Sequence, residues 1–336
     1  MTVVEPFGLR VRDQALDADV QAGLAAVEAG LLDATKSEVP FITEAAQHLV
    51  RAGGKRFRPL LVMLAAQFGD PYAPGVVPSA VVVELTHLAT LYHDDVMDEA
   101  EVRRGVDSAN ARWDNSVAVL TGDFLFARAS HILADLGPEA VRIQAEAFER
   151  LVTGQILETA GPRDGRDPVD HYLDVLSGKT GSLIAVSGRF GAMMSGADES
   201  VVNTLTQYGE RLGMAFQLAD DVLDIASDSH ESGKTPGTDL REGIPTLPVL
   251  RLRAQAAAHG RPDDLALVEL LDGDLTDDVR HAEALRLMRV HPALEQARQD
   301  TVRYAEEARA SLAPLRECFA KTALEELCGA VVHRVG

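Results

Sequence analysis

Cysteine is nearly absent from this sequence: of 336 residues only Cys318 and Cys328 are cysteines. Two thiols give neither a disulfide framework nor the paired spacing of a zinc site, and they suit a reducing cytosol. Aromatic residues make up only 5% of the chain, yet 46% is hydrophobic, chiefly Ala and Leu, which is enough for a sizeable core. Basic residues are also short, 32 Lys and Arg against 52 Asp and Glu. The resulting charge of −20 argues against a nucleic-acid partner, because gripping a phosphate backbone needs an extended basic face. No apolar run of the roughly 18 residues required for a membrane span stands out, and the opening MTVVEPFGLRVRDQ has no secretory core. The expectation is a cytoplasmic protein without a transmembrane segment.

What is present is helical spacing. Apolar residues recur every three or four positions rather than alternating, and β-branched runs such as Val81–Val83 are short and embedded in helical pattern. This predicts an all-α fold, a single domain over residues 1–336. Helices are expected near 13–36, 41–52, 113–135, 139–160 and 198–228, with another entered through Pro59, a residue favoured in a first turn. Residues 246–330 read as further helices with an acidic insertion at 262–278 and no motif.

Two acidic stretches carry chemistry. At 100° per residue, a helix over Glu84–Asp98 gathers His87, Asp94 and Asp98 into a band about 40° wide, with Asp95 on its flank. Gln217, Asp221, Asp224 and Asp228 share a face in the same way, beside Asp220. Crowded carboxylates destabilise a helix unless cations sit among them. Mg2+ is the natural candidate, a hard ion that takes a few carboxylates and the phosphates of a substrate.

The basic groups suggest such a substrate. Gly53-Gly54 followed by Lys55, Arg58 and a helix start reads either as an anion site or as an ordinary solvated turn. Arg103 and Arg104, just past the first acidic stretch, suit either neutralising those aspartates or clamping a diphosphate. Of only five lysines, Lys55, Lys179 and Lys234 directly follow a glycine, which permits close backbone approach. Ser177–Gly181 is not a nucleotide P-loop, since Leu173 stands where that motif needs glycine and no strand precedes it.

In order and spacing, GGKRFRP at 53–59, HDDVMDEAEVRRG at 93–105, GKT at 178–180, FQLADDVLD at 216–224 and GKTPGTD at 233–239 resemble the all-trans polyprenyl diphosphate synthases. The resemblance implies a helical bundle around a central apolar cavity, and a homodimer. Asp94, Asp95 and Asp98 would be the first aspartate-rich motif and Asp220, Asp221 and Asp224 the second, together holding Mg2+ on an allylic prenyl diphosphate. It assigns Lys55, Arg58, His87 and Arg104 to isopentenyl diphosphate, and Arg103, Lys179, Thr180, Gln217 and Lys234 to the allylic substrate. Gly181 departs from the Ala of many relatives. Ala89 and Thr90, one turn before Asp94, would form the floor that limits product length, and their small size implies a product longer than C20, of the quinone side-chain type.

Four other readings compete, one of them a terpene cyclase, which would share the first aspartate motif but have no purpose for the isopentenyl-site residues. Glu84-x-x-His87 has the spacing of a di-iron carboxylate pair, but no second pair accompanies it. A non-catalytic partner subunit should lack one aspartate motif, and a short-chain synthase should carry an aromatic residue near Ala89.

Overall fold

The computed structural model describes residues 13–227 and 236–335. In chain order these form α1 (Gln14–Ala34), α2 (Pro40–Arg51), α3 (Phe57–Ala66) and α4 (Val76–Met97). A small hairpin follows, β1 (Val102–Arg103) and β2 (Val106–Asp107), then α5 (Ala109–Arg112), α6 (Asn115–Leu136) and α7 (Pro138–Ala160). Helix α8 (Pro168–Leu176) passes through a π turn (Ser177–Gly181) into α9 (Ser182–Met194), and α10 (Glu199–Ala226) comes next. The remainder is α11 (Thr238–Arg241), α12 (Leu247–His259), α13 (Pro262–Leu271), α14 (Asp278–Val290), α15 (Pro292–Ser311) and α16 (Phe319–Val335). The all-α expectation holds.

Part of the acidic surplus starts helices. Asp13 accepts from Leu16 N at 2.9 Å, Asp114 from Val117 N at 2.8 Å, and Asp167 and Asp277 each take two first-turn amides. Such caps satisfy amides that have no partner in the helix and place negative charge at the positive end of its dipole. The acidic stretch at 262–278 is partly helical. Its first part is α13, whose buried Asp264 pairs with Arg261 at 2.8 Å and lies 3.3 Å from His291 Nε2.

The chain divides into two compact units whose boundaries fall inside α7, α9, α10, α15 and α16. In the first (residues up to 149, 183–209 and 311–326), α4 packs most extensively on α6 and also against α3 and α1. Leu85, Leu88, Ala89 and Tyr92 of α4 are fully buried. Each such leucine is worth about 1.5–3 kcal/mol relative to exposure. The Tyr92 hydroxyl donates to Ala45 O at 2.6 Å and accepts from Leu49 N at 3.3 Å, which pins α2 to the turn that carries Asp94 and Asp95.

Helix α6 bears on the expectation of no membrane span. By length and composition it could cross a membrane, with an 18-residue window of mean hydropathy 1.3 that is 33% buried. The expectation rests on unbroken apolar runs, and in α6 the charged residues Asp123, Arg128 and Asp135 interrupt the run.

In the second unit, the later part of α10 buries Leu218, Ala219, Val222 and Ile225. Gln217, Asp220 and Asp224 remain partly accessible on the same helix, and Asp221 is buried. Helix α12 packs on α8 and α13.

Candidate functional site

In the first unit, two short strands aim two arginines. They pair antiparallel, Val102 opposite Asp107 and Arg103 opposite Val106, so Arg104 and Gly105 form the turn with φ of 55° and 77°. Two positive φ values in succession mark a type I′ turn, the geometry that suits a tight hairpin. Arg103 Nε then reaches Asp95 Oδ1 at 2.6 Å. Arg104 Nη1 donates to Leu49 O at 3.1 Å and to Gly53 O, while its Nη2 lies 3.7 Å from Glu84 Oε1.

The entry to α3 is built around the same guanidinium. A Cβ on Gly54 would lie 2.9 Å from the guanidinium carbon of Arg104, so this glycine makes room for a protein side chain. Arg56 follows in the left-handed region at φ 47° and is buried. It donates to Glu84 at 2.9 Å, to Glu28, and to the carbonyls of Val50 and Gly53. Glu84, read from sequence as one half of a possible iron site, is therefore the buried counter-charge of two arginines, and the oxidoreductase reading falls.

Arg58 has a buried Nε without a hydrogen-bond partner, and burial, together with the nearby charge of Arg104, lowers its pKa to about 10. Burial first, and then Arg58, Arg104, Arg56 and Arg103 in turn, hold His87 well below the ordinary imidazole value. Four guanidiniums thus act on the His87 imidazole, and the carboxylates Glu28, Glu84 and Asp95 are paired among them. Positive charge in surplus within a partly desolvated cluster is chemistry suited to an anion. Lys55 stands exposed at its edge.

The aspartates at the end of α4 differ from one another. Asp94 is half-buried and Asp98, the C-cap, is exposed. Asp95, which the helical wheel puts on the flank, is 0% exposed, and its Oδ2 has no hydrogen-bond partner. Burial raises its pKa despite the opposing effect of Arg103.

In the second unit, Tyr172 of α8 donates its hydroxyl to Asp221 Oδ2, and Gln217 Nε2 donates to Asp221 Oδ1 at 3.1 Å. Thr180 of the π turn donates to Gln217 Oε1 at 3.2 Å. Burial, followed by the charges of Asp239, Asp224 and Glu158, pushes Asp221 well above the usual carboxylate range. Asp224 accepts from the amides of Thr238 and Asp239, both at 3.1 Å. Asp220 pairs with Arg334 of α16 at 2.6 Å, and Lys179 with Glu158 of α7 at 2.7 Å.

The glycine before Lys179 also serves an approach of protein to protein. A Cβ on Gly178 would sit 2.7 Å from Arg150 O, and one on Gly154 2.7 Å from Lys179 N. A Cβ on Gly181 would meet Glu210 O at an ordinary 3.6 Å, so the departure from Ala there is neutral. Helix α8, not a strand, leads into this turn, in keeping with the rejection of a P-loop. Asp228 and Lys234 lie outside the described residues. Sequence reasoning did not single out Glu28, Arg56, Glu158, Tyr172, Asp239 or Arg334, since each acts through a partner distant in sequence.

Among the described residues no three His, Cys, Asp or Glu side chains gather as a ready-made metal cage. Mg2+ does not need one, because it keeps waters and binds through one or two carboxylates and substrate phosphates. The partnerless Oδ2 of Asp95 and the carboxylate crowding at Asp221 fit such an ion.

The chain belongs to the polyprenyl synthetase family, whose model matches residues 39–288, and is a prenyltransferase of the trans-polyprenyl diphosphate synthase class. It is 47% identical over 330 residues, 98% of this chain and 97% of the relative, to a nonaprenyl diphosphate synthase of Mycobacterium tuberculosis. Its fold is similar to that of a geranylgeranyl pyrophosphate synthase from Corynebacterium glutamicum, solved with calcium and isoprenyl diphosphate. That match has a TM-score of 0.86 and 45% identity, and covers 97% of this chain and 99% of the other. A decaprenyl diphosphate synthase from Rhodobacter capsulatus gives a TM-score of 0.86 at 36% identity, over 96% of this chain and 99% of its own.

Proposed function

We propose that the protein condenses isopentenyl diphosphate with an allylic prenyl diphosphate in trans, with Mg2+, to make a polyprenyl diphosphate longer than C20. The observation that carries the reading is the content of one helix. Helix α4 holds His87 within a surplus of guanidinium and, seven residues on, about 10 Å along the axis, begins its run of aspartates. Two anion-directed sites at that spacing suit a reaction with two diphosphates.

Arg58, Arg104, Lys55 and His87 bind the isopentenyl diphosphate, and Arg103, Lys179, Thr180, Gln217 and Lys234 the allylic one. Asp94, Asp95, Asp98, Asp220, Asp221 and Asp224 supply the carboxylates for Mg2+. Mg2+ held by these carboxylates would supply charge neutralisation for the departing diphosphate. The arginines and lysines stabilise the same developing charge, the allylic C–O bond breaks, the isopentenyl double bond attacks the allylic carbon, and the resulting cation loses a proton to the released diphosphate. No side chain acts as nucleophile. Apolar walls exclude the water that would capture the cation.

Product length rests on Ala89, fully buried, and Thr90, whose hydroxyl is turned back to His87 O at 2.8 Å. Neither side chain is large enough to stop a chain growing away from Asp94. Radiolabelled isopentenyl diphosphate with Mg2+ and dimethylallyl, geranyl, farnesyl or geranylgeranyl starters, followed by separation of the dephosphorylated products, should give chains beyond C20. Ala89→Phe should shorten them while the first condensation survives. The larger ring costs about 1–3 kcal/mol in a packed core, so its fold is checked by thermal melting. A wild type that stops at farnesyl diphosphate, or unchanged lengths from a folded variant, would refute this floor.

The chain works as one domain, a reading supported by unit boundaries that fall inside helices rather than linkers. It self-associates through α6, where Leu120 is 66% exposed beside an exposed Val119. Light scattering should report a homodimer that Leu120→Glu weakens, and an unchanged mass would place the interface elsewhere. A cytoplasmic location is supported by Cys318 and Cys328, which both remain thiols.

A further inference from the structure

Asp95, Asp220 and Asp221 of the aspartate motifs have side-chain partners that differ in kind. Asp95 is paired with Arg103 and Asp220 with Arg334, so a guanidinium already offsets the charge of each. Asp221 is 5% exposed and is held by two neutral donors, the Tyr172 hydroxyl on Oδ2 and the Gln217 amide on Oδ1. A neutral donor takes one lone pair of a carboxylate oxygen and leaves the other, together with the full negative charge, for a cation. It orients without neutralising.

Tyr172 is placed for this by its own helix. Asp167 caps α8 through the amides of Val169 and Asp170, and the Nε2 of buried His171 lies 3.1 Å from Leu157 O, which fixes the helix on α7. Val175 and Leu176 are buried beyond it. The same continuous run carries Thr180, which reaches the other oxygen of Asp221 through Gln217. One rigid segment therefore controls both oxygens, directly at one end and by relay at the other.

We infer that Tyr172 is a positioning residue, holding the Asp221 carboxylate in the orientation in which it takes a divalent cation. The inference rests on the metal-dependent function proposed for this chain. Groups that orient a metal ligand from behind typically contribute about 10- to 100-fold to metal affinity.

The test uses Tyr172→Phe, which removes one oxygen and keeps the ring. Mn2+ binding to the full chain is followed by the loss of the free-ion electron paramagnetic resonance signal, and melting curves verify the fold. The expected result is Mn2+ affinity lower by about tenfold, a matching rise in the Mg2+ concentration that half-activates the enzyme, and an unchanged KM for isopentenyl diphosphate. A folded variant that binds Mn2+ as the wild type does overturns the inference while leaving the metal reading intact. So does a variant whose KM for isopentenyl diphosphate rises while Mn2+ binding stays the same, the mark of a packing role. A wild type that takes up no Mn2+ sinks the metal reading itself, and the inference with it.

Discussion

Asp221→Asn should lower kcat by about two to three decades, the usual cost of losing a principal electrostatic contact to the developing charge. The substitution keeps size and shape, and one of the two donors, Tyr172 or Gln217, retains an oxygen to bond. What disappears is a carboxylate whose two named partners are both neutral donors. The matching change at Asp95 should act differently. That carboxylate is already tied to Arg103, so Asp95→Asn frees the guanidinium as well as weakening a cation site, and its damage extends to the hairpin. Steady-state rates at saturating substrates across a Mg2+ titration decide the matter. If Asp221→Asn came within a few-fold of the wild type at high Mg2+, the second acidic face would have no electrostatic part in the reaction.

The second large effect concerns stability. Glu84→Gln should cost about 3–5 kcal/mol, the range for deleting one partner of a buried ion pair. Glu84 is 2% exposed and faces Arg56 at 2.9 Å and Arg104 at 3.7 Å. Arg56 would keep Glu28, but Arg104 would be left with carbonyl oxygens and with the repulsion of Arg58 and Arg56. The same imbalance gives the prediction a second arm. If the cluster binds diphosphate, added inorganic diphosphate should raise the melting temperature of Glu84→Gln more than that of the wild type, because a ligand specific to the folded state stabilises it in proportion to its occupancy. A variant that melts with the wild type, or that ignores diphosphate, would show that these arginines do not depend on Glu84 for their balance of charge.

The helices were legible because a 3.6-residue period is a long-range pattern that survives local exceptions. Helix α4 was read with its acidic face, and His87, Asp94 and Asp98 do lie along it. The burial of Asp95 was not legible. It depends on Arg103, whose strand is two residues long and offers no alternation to detect, and on a type I′ turn made with Arg-Gly rather than the usual Asn-Gly. Nor could the sequence divide the arginines into those buried as supports, such as Arg56, and those turned toward an anion. That division is set by Glu28 and Glu84, each 28 residues from Arg56 in opposite directions along the chain. The glycine–lysine pairs were noticed for a sound reason, close approach, but at Gly54 and Gly178 the approaching group is part of the protein itself.

The π turn at Ser177–Gly181 bears on how this enzyme can be recombined with its relatives. A π turn amounts to one extra residue accommodated within a helix, and each added residue rotates the later turns by about 100°. Tyr172 reaches one oxygen of Asp221 directly, and Thr180 the other through Gln217, only in the register that this extra residue sets. A chimera spliced between Pro168 and Met194, or a single deletion that straightens the turn, would preserve every side chain and lose their common aim. Residues 168–194 should therefore be exchanged as one cassette.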